Sequence, residues 1–256
     1  MKDDPILQLF VLNSEPPLEH PVDRSESERL SAWVRSPARR AFDLVFVSAM
    51  LPVLLPLLLI VACMVRLTSK GPVLFLQKRV GRNGVHFNIY KFRTMIHSNK
   101  IRGNITTIND PAITNVGRFL RWWKLDELPQ FLNVLQGEMS LVGPRPKVPE
   151  QQTWVSSCRP GITGAATIAF AQEDVFLVGI PDGELEDYCR NILLPLKQSL
   201  DESYMARATP LSDLRILLHT AMRRWDRTNT SRIPEPAQDI RSHCATLIGN
   251  ELGIRN

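Results

Sequence analysis

A chain of 256 residues, 44% apolar and 22% charged, can bury one core of ordinary size with appendages, which excludes a collagen-like repeat, a polytopic transporter and a chain disordered throughout. Its 31 Lys plus Arg against 26 Asp plus Glu give a net charge of +5, but the charge is segregated: residues 44–108 hold nine basic side chains and no acidic one. That stretch implies anionic partners, whether lipid headgroups, nucleotide phosphates or nucleic acid.

Residues 1–34 carry an excess of acidic side chains with Pro16, Pro17 and Pro21, and read as a mobile or partner-binding arm. Residues 35–70 contain the membrane signal. From Leu44 to Val65 there are 22 consecutive uncharged, mostly aliphatic positions, long enough to cross a bilayer core. The alternative is a buried core helix, which would need apolar neighbours all round. Arg35, Arg39 and Arg40 precede the run and Arg66 and Lys70 follow it, so both flanks look cytoplasmic. Pro52 and Pro56 each remove a backbone donor within it. A proline-broken helix that enters and leaves by one leaflet satisfies both features.

Residues 71–223 change pattern. Val73–Gly81 and Val85–Met95 flank Arg82-Asn83-Gly84, and Asn-Gly between alternating segments predicts a β-hairpin. Lys78, Arg79, Lys91 and Arg93 would be displayed on this ribbon, either as a solvated basic face or as phosphate ligands. Residues 96–112 read as a loop. Beyond them, Leu128, Phe131, Leu132 and Leu135 form one helical stripe that Gly137 stops. Asp126 and Glu127 fall at the start of that helix, with Pro129 in its first turn. An aspartate there can simply cap the helix. The pair also follows the cationic segment Arg118–Lys124 and precedes Gly143-Pro144-Arg145-Pro146, and acids set among phosphate-seeking cations suit phosphate-ester chemistry with a hard divalent ion. The five histidines lack any triad or ligand spacing, and the four cysteines form no CxxC pair. Residues 224–256 form an extension of unassigned role.

Several long segments, in order, carry a resemblance: RRAFDL with the apolar run, FLQKRVGRNGVHFNIYKFRTM, NVGRFLRWWKLDELPQFLNVLQGEMSLVGPRP, RPGITG, LPLKQSLDESY and SDLRILLHTAM. The chain resembles the bacterial sugar transferase family, monotopic phosphoglycosyl transferases acting on a polyprenyl phosphate carrier. The resemblance implies a membrane-associated α+β fold: one re-entrant helix broken at a proline, best matched by Pro56, followed by a small mixed domain of amphipathic helices and a short β-hairpin. It implies a ping-pong reaction in which Asp126 attacks the β-phosphate of a UDP-sugar, releases UMP and passes the phosphosugar to polyprenyl (undecaprenyl) phosphate. Glu127 would assist the nucleophile and, with Asp126, hold Mg²⁺. Arg121 matches a lipid-phosphate position; Lys91, Arg93 and Arg145 match basic positions around the phosphates, and Arg79 on the same ribbon is a further candidate. The implied location is the cytoplasmic face of the bacterial inner membrane, in contact with its lipids. A homodimer is left open, and no nucleic acid is expected, since it would not explain the apolar run.

Overall fold

The computed structural model describes residues 29–96, 112–151, 155–170 and 188–223. Residues 1–28 of the arm, the C-terminal extension and most of the 96–112 loop therefore lie outside the described residues, while the last residues of the arm are ordered into the fold.

Helix α1, Ala32–Arg35, is capped by Ser31 and leads into α2, Pro37–Thr68, which starts with Ser36 as N-cap and Pro37 in its first turn. At about 1.5 Å per residue, α2 is roughly 48 Å long. Its buried side chains, Arg39, Asp43, Val47, Leu54, Val61 and Val65, fall on one stripe, whereas Val45, Val53, Leu55, Leu59 and Ile60 are exposed. Only 17% of its most apolar 18-residue window is buried inside the protein, so the core-helix alternative is wrong: the outer face needs an apolar solvent.

Pro52 and Pro56 both lie inside this one helix, which is not divided into two at either. Each proline deprives the carbonyl four residues earlier, of Ser48 and of Pro52, of its usual donor. Both ends of the helix rest on the same domain. At the first end, Arg39 Nε pairs with Asp213 Oδ2 at 3.1 Å and Nη2 donates to Val142 O at 2.9 Å. Arg40 donates to the carbonyls of Val134 and Leu135, and Asp43 accepts from Ser140 Oγ at 2.8 Å and Leu141 N at 3.1 Å. At the other end, Val61 and Val65 pack with Phe92 and Leu120, and Arg93 Nη2 donates to Ser69 O and Oγ at 2.7 and 2.8 Å.

The expected hairpin is present. Strand β1, Leu74–Val80, pairs antiparallel with β2, His86–Phe92, from Leu74 opposite Phe92 to Val80 opposite His86. Asn83 and Gly84, with φ of 56° and 79°, supply the left-handed turn that closes it. Arg79 and Lys91 lie on the same face as Phe87 and Ile89, which enter the main core. The amphipathic helix α3, Asn115–Trp122, buries Leu120 and exposes Phe119 and Trp122.

A 3₁₀ turn, Leu125–Glu127, precedes α4, Gln130–Gln136, which Gly137 ends at φ 88°. The buried face of α4 differs from the apolar stripe: Asn133 is fully buried and Leu132 is 42% exposed. Asn133 can be buried because every polar atom finds a partner, its Oδ1 accepting from Tyr90 N and its Nδ2 donating to Asn88 O and Glu138 Oε2. It straps the hairpin to α4. Strand β3, Ser140–Val142, pairs in parallel with β4, Gly161–Thr163. Short helix α5, Ala165–Ala169, follows, then a π-turn at Cys189–Leu193, α6, Leu194–Arg207, and α7, Pro210–Arg223. The core unites Phe87, Ile89, Val134, Met139, Leu141, Leu200, Tyr204 and Ile216 with Val47 of α2.

Asp213 is the buried knot between membrane helix and domain, since it also accepts from Trp33 Nε1 and Tyr204 Oη, each at 2.8 Å. Asp213→Ala strands the Arg39 guanidinium without its counter-charge, and should cost about 3 kcal/mol or more of stability. Thermal unfolding of the detergent-solubilised protein checks this.

Candidate active site

The site assembles where the 3₁₀ turn meets the hairpin and the loop after β3. Lys124 adopts a left-handed conformation, φ 54°, which ends α3 and turns the chain into the Asp126-Glu127 step. Asp126 is 9% and Glu127 7% exposed. The helix-cap alternative for Asp126 is excluded: Pro129 occupies the N-cap of α4 with no side-chain cap bond, and Asp126 Oδ1 is buried without a hydrogen-bond partner.

Glu127 Oε1 receives Lys91 Nζ at 3.2 Å and Arg145 Nη2 at 2.8 Å. The two carboxyls are thereby driven apart. Burial pushes Asp126 up to about 6, helped by the negative Glu127 beside it and opposed by Lys91, Lys124 and Arg121. Burial also opposes ionisation of Glu127, but Arg145, Lys91 and Lys124 outweigh it and hold that carboxyl well below the usual range. Glu127 is thus a fixed negative charge with partners, and Asp126 a carboxylate with an open oxygen.

Three of the candidate cations converge. Arg79, Lys91 and Arg145 line one small cleft with Ile89, Gln130, Pro146, Gly161 and Ile162. Arg79 Nη1 donates to Pro146 O at 3.1 Å and Nη2 to Gln77 Oε1 at 2.5 Å, and burial, with Arg145 nearby, lowers it to about 10. Arg121 acts on Asp126 by its charge and is held by Thr94, with Nε to Oγ1 at 2.9 Å. Arg93 is not part of the cleft. Its Nη2 ties down the end of α2, where a guanidinium can close off a helix C-terminus, while its Nε and Nη1 are buried without a hydrogen-bond partner. Pro52 and Pro56 belong to the membrane helix, away from these cations in sequence and function.

Sequence reasoning missed Gln130, 3% exposed in the cleft wall, although its i+4 spacing from Asp126 was a readable signal. Lys124, named only as the end of a cationic segment, acts by its charge on both acids.

Among the described residues no three His, Cys, Asp or Glu gather as a metal cage. A magnesium ion shared with substrate phosphates needs only one or two carboxylates, and the partnerless Asp126 Oδ1 meets that requirement. The donor set fits the ion.

A family model described as bacterial sugar transferase matches residues 34–227, three quarters of the chain and the whole of this site. The chain belongs to that family. It is 39% identical over 202 residues to an undecaprenyl-phosphate glucose phosphotransferase of Komagataeibacter xylinus, an alignment covering 69% of this chain and 36% of the relative. It is 38% identical over 165 residues to a UDP-N-acetylgalactosamine-undecaprenyl-phosphate N-acetylgalactosaminephosphotransferase of Aeromonas hydrophila, covering 57% and 38%. An exopolysaccharide production protein of Rhizobium leguminosarum bv. phaseoli is 44% identical over 144 residues, 50% of this chain and 72% of the relative. The chain thus spans little more than a third of the length of the first two.

Lys91→Met leaves Glu127 with one fewer cation and should destabilise the fold by about 3 kcal/mol at pH 7. Because the folded-state pKa of Glu127 is depressed, its contribution is present above the unfolded value and is lost as pH falls through the folded one. The gap between wild type and Lys91→Met in denaturant unfolding should therefore narrow below pH 4.5.

Proposed function

We propose that this protein is a membrane-bound phosphoglycosyl transferase that moves a phosphosugar from a UDP-sugar to polyprenyl phosphate. The observation that carries the reading is the buried, partnerless Asp126 Oδ1 set beside a cleft of three cations. The names of the relatives, which pair UDP-sugars with undecaprenyl phosphate, support the same substrates.

In this reading Arg79, Lys91 and Arg145 neutralise the diphosphate as it enters, and Asp126 Oδ1 attacks the β-phosphorus. The bond from that phosphorus to the bridging oxygen breaks, and its electron pair leaves with UMP. The phosphosugar remains on Asp126 as an acyl phosphate. A phosphate oxygen of the polyprenyl carrier then attacks the same phosphorus, forms the polyprenyl diphosphosugar and returns the carboxylate. Asp126 and Glu127 would be the residues to hold a magnesium ion, which would supply Lewis-acid neutralisation of phosphate charge. Glu127 anchors Lys91 and Arg145, and Arg121, near Asp126 and Thr94, faces the carrier's phosphate. The apolar outer face of α2 sits in the inner membrane, with the domain on the cytoplasmic side, where UDP-sugars are found. The relatives named above differ in sugar, glucose in one and N-acetylgalactosamine in another, so the donor is assigned as a UDP-hexose class.

UMP release from a panel of UDP-sugars in the presence of polyprenyl phosphate tests the reading. Wild type should turn over at least one, and Asp126→Asn should lose more than about 1,000-fold while keeping its melting temperature, because an amide cannot form an acyl phosphate. No release from any UDP-sugar would leave a silent membrane scaffold instead. Since the attacking form is the carboxylate, the first half-reaction should rise with pH through about 6 and then level off. Glu127→Gln removes one cause of the raised value, so whatever activity remains should inflect at lower pH.

A further inference from the structure

Gln130 opens α4 one helical turn after Asp126, and the backbone between them stays right-handed: Leu128 has φ −56° and ψ −35°, Pro129 φ −61° and ψ −15°. The Gln130 side chain is 3% exposed and lines the cleft. Its amide makes no hydrogen bond with any described residue, whereas Asn133, the other buried amide of α4, has each of its polar atoms paired. A buried amide left unpaired costs about 1 to 3 kcal/mol, so an apolar side chain of the same length would be the more stable filling here. The amide is also the one side-chain group lining the cleft that can accept a hydrogen bond. Arg79, Lys91 and Arg145 only donate, and the side chains of Ile89, Pro146, Gly161 and Ile162 carry no polar atom. A phosphate oxygen, which only accepts, could take a proton from Nε2 but would leave Oε1 unmet. The group that satisfies Gln130 therefore carries an O–H or N–H.

We infer that Gln130 is a sugar-binding residue, its amide pairing with a hydroxyl or acetamido N–H of the hexose that is transferred. The inference rests on the reading of the cleft as the site of a UDP-sugar. In that reading Asp126 attacks the β-phosphorus, and the hexose hangs directly from the β-phosphate, whereas ribose and uracil lie beyond the α-phosphate. With Gln130 a single turn from Asp126, the nearest donors of the substrate are those of the hexose. A ring hydroxyl both donates and accepts, so it can engage either end of the amide. The three cations grip the charge common to every nucleoside diphosphate, and the neutral amide answers to the part that distinguishes a UDP-sugar from UDP. A site built to pair with such a group rejects an analogue that lacks it, because the amide is then left unpaired.

Titration calorimetry on the full-length protein in detergent with Mg²⁺ tests this, with UDP, UDP-glucose and UDP-N-acetylgalactosamine as ligands and Asp126→Asn as the background, so that binding is read without turnover. Gln130→Met keeps the length of the side chain and removes the amide; it should weaken the better-bound UDP-hexose by roughly 10-fold and leave UDP unchanged. Its melting temperature should equal or exceed that of the background, since no hydrogen bond within the protein is lost. Loss of UDP and UDP-hexose by the same factor would assign Gln130 to the nucleotide or the fold and overturn the inference, and so would affinities that do not change. Binding of neither UDP-sugar would overturn it as well. UMP release by protein with Asp126 intact reports separately on the reaction. Selective loss of UDP-hexose without any UMP release would retain the sugar contact and lose the proposed transfer, and release with unchanged affinities would do the reverse. Should Gln130→Met fail to fold, Gln130→Asn, which draws the same amide back by one methylene, replaces it with the same selective loss expected. Failure of both to fold would show a structural residue and overturn the inference.

Discussion

The buried charge of Glu127 is the constraint around which the site is organised. A carboxylate that is 7% exposed is costly unless cations meet it, and here Lys91 from β2 and Arg145 from the loop after β3 both converge on Oε1. That single requirement draws the hairpin, the Asp126-Glu127 turn and the β3 loop to one point. It also sets the chemistry of the neighbour. Asp126 keeps an open oxygen, and its burial, with the negative Glu127 beside it, raises its affinity for a proton.

A second buried charge system joins this domain to the membrane helix. Arg39 and Asp43 lie on the inward stripe of α2, and their partners come from α7, β3 and the strand's own residues Ser140 and Leu141. Strand β3 is therefore fixed at its start by the membrane helix and leads, at its end, into the loop that carries Arg145. The opposite end of α2 is tied by Arg93 to Ser69, close in sequence to Thr94, which holds Arg121. Both ends of one apolar helix thus frame the site.

Much of this was legible in the sequence where local chemistry decides the structure. Asn83-Gly84 had to take positive φ to close a hairpin, Gly137 had to end its helix, and a charge-free run of 22 residues had to find an apolar solvent. The clustering of Lys91, Arg145 and the acidic pair was also legible, through a family resemblance and the charge pattern. What was not legible depends on contacts between distant segments. Nothing local distinguishes Arg93, which ties down a helix end, from Lys91 two residues earlier, which enters the cleft. The parallel pairing of β3 with β4 joins segments about twenty residues apart and relies on glycines whose close approach only the fold creates. Asn133 breaks the apolar stripe of α4 because its amide partners lie on the hairpin. The Asp126 cap, plausible from position alone, fails because a 3₁₀ turn and Pro129 intervene.

The central claim is that the ionisation split makes Asp126, and not Glu127, the residue that carries the phosphosugar. The most direct measurement is peptide mass spectrometry on full-length protein incubated with its UDP-sugar and Mg²⁺ and without lipid carrier, quenched before hydrolysis. A phosphosugar adduct localised to Asp126, discharged when polyprenyl phosphate is added, is the predicted result. An adduct on Glu127, or UMP released only when the carrier is present and with no adduct on the protein, would contradict the account.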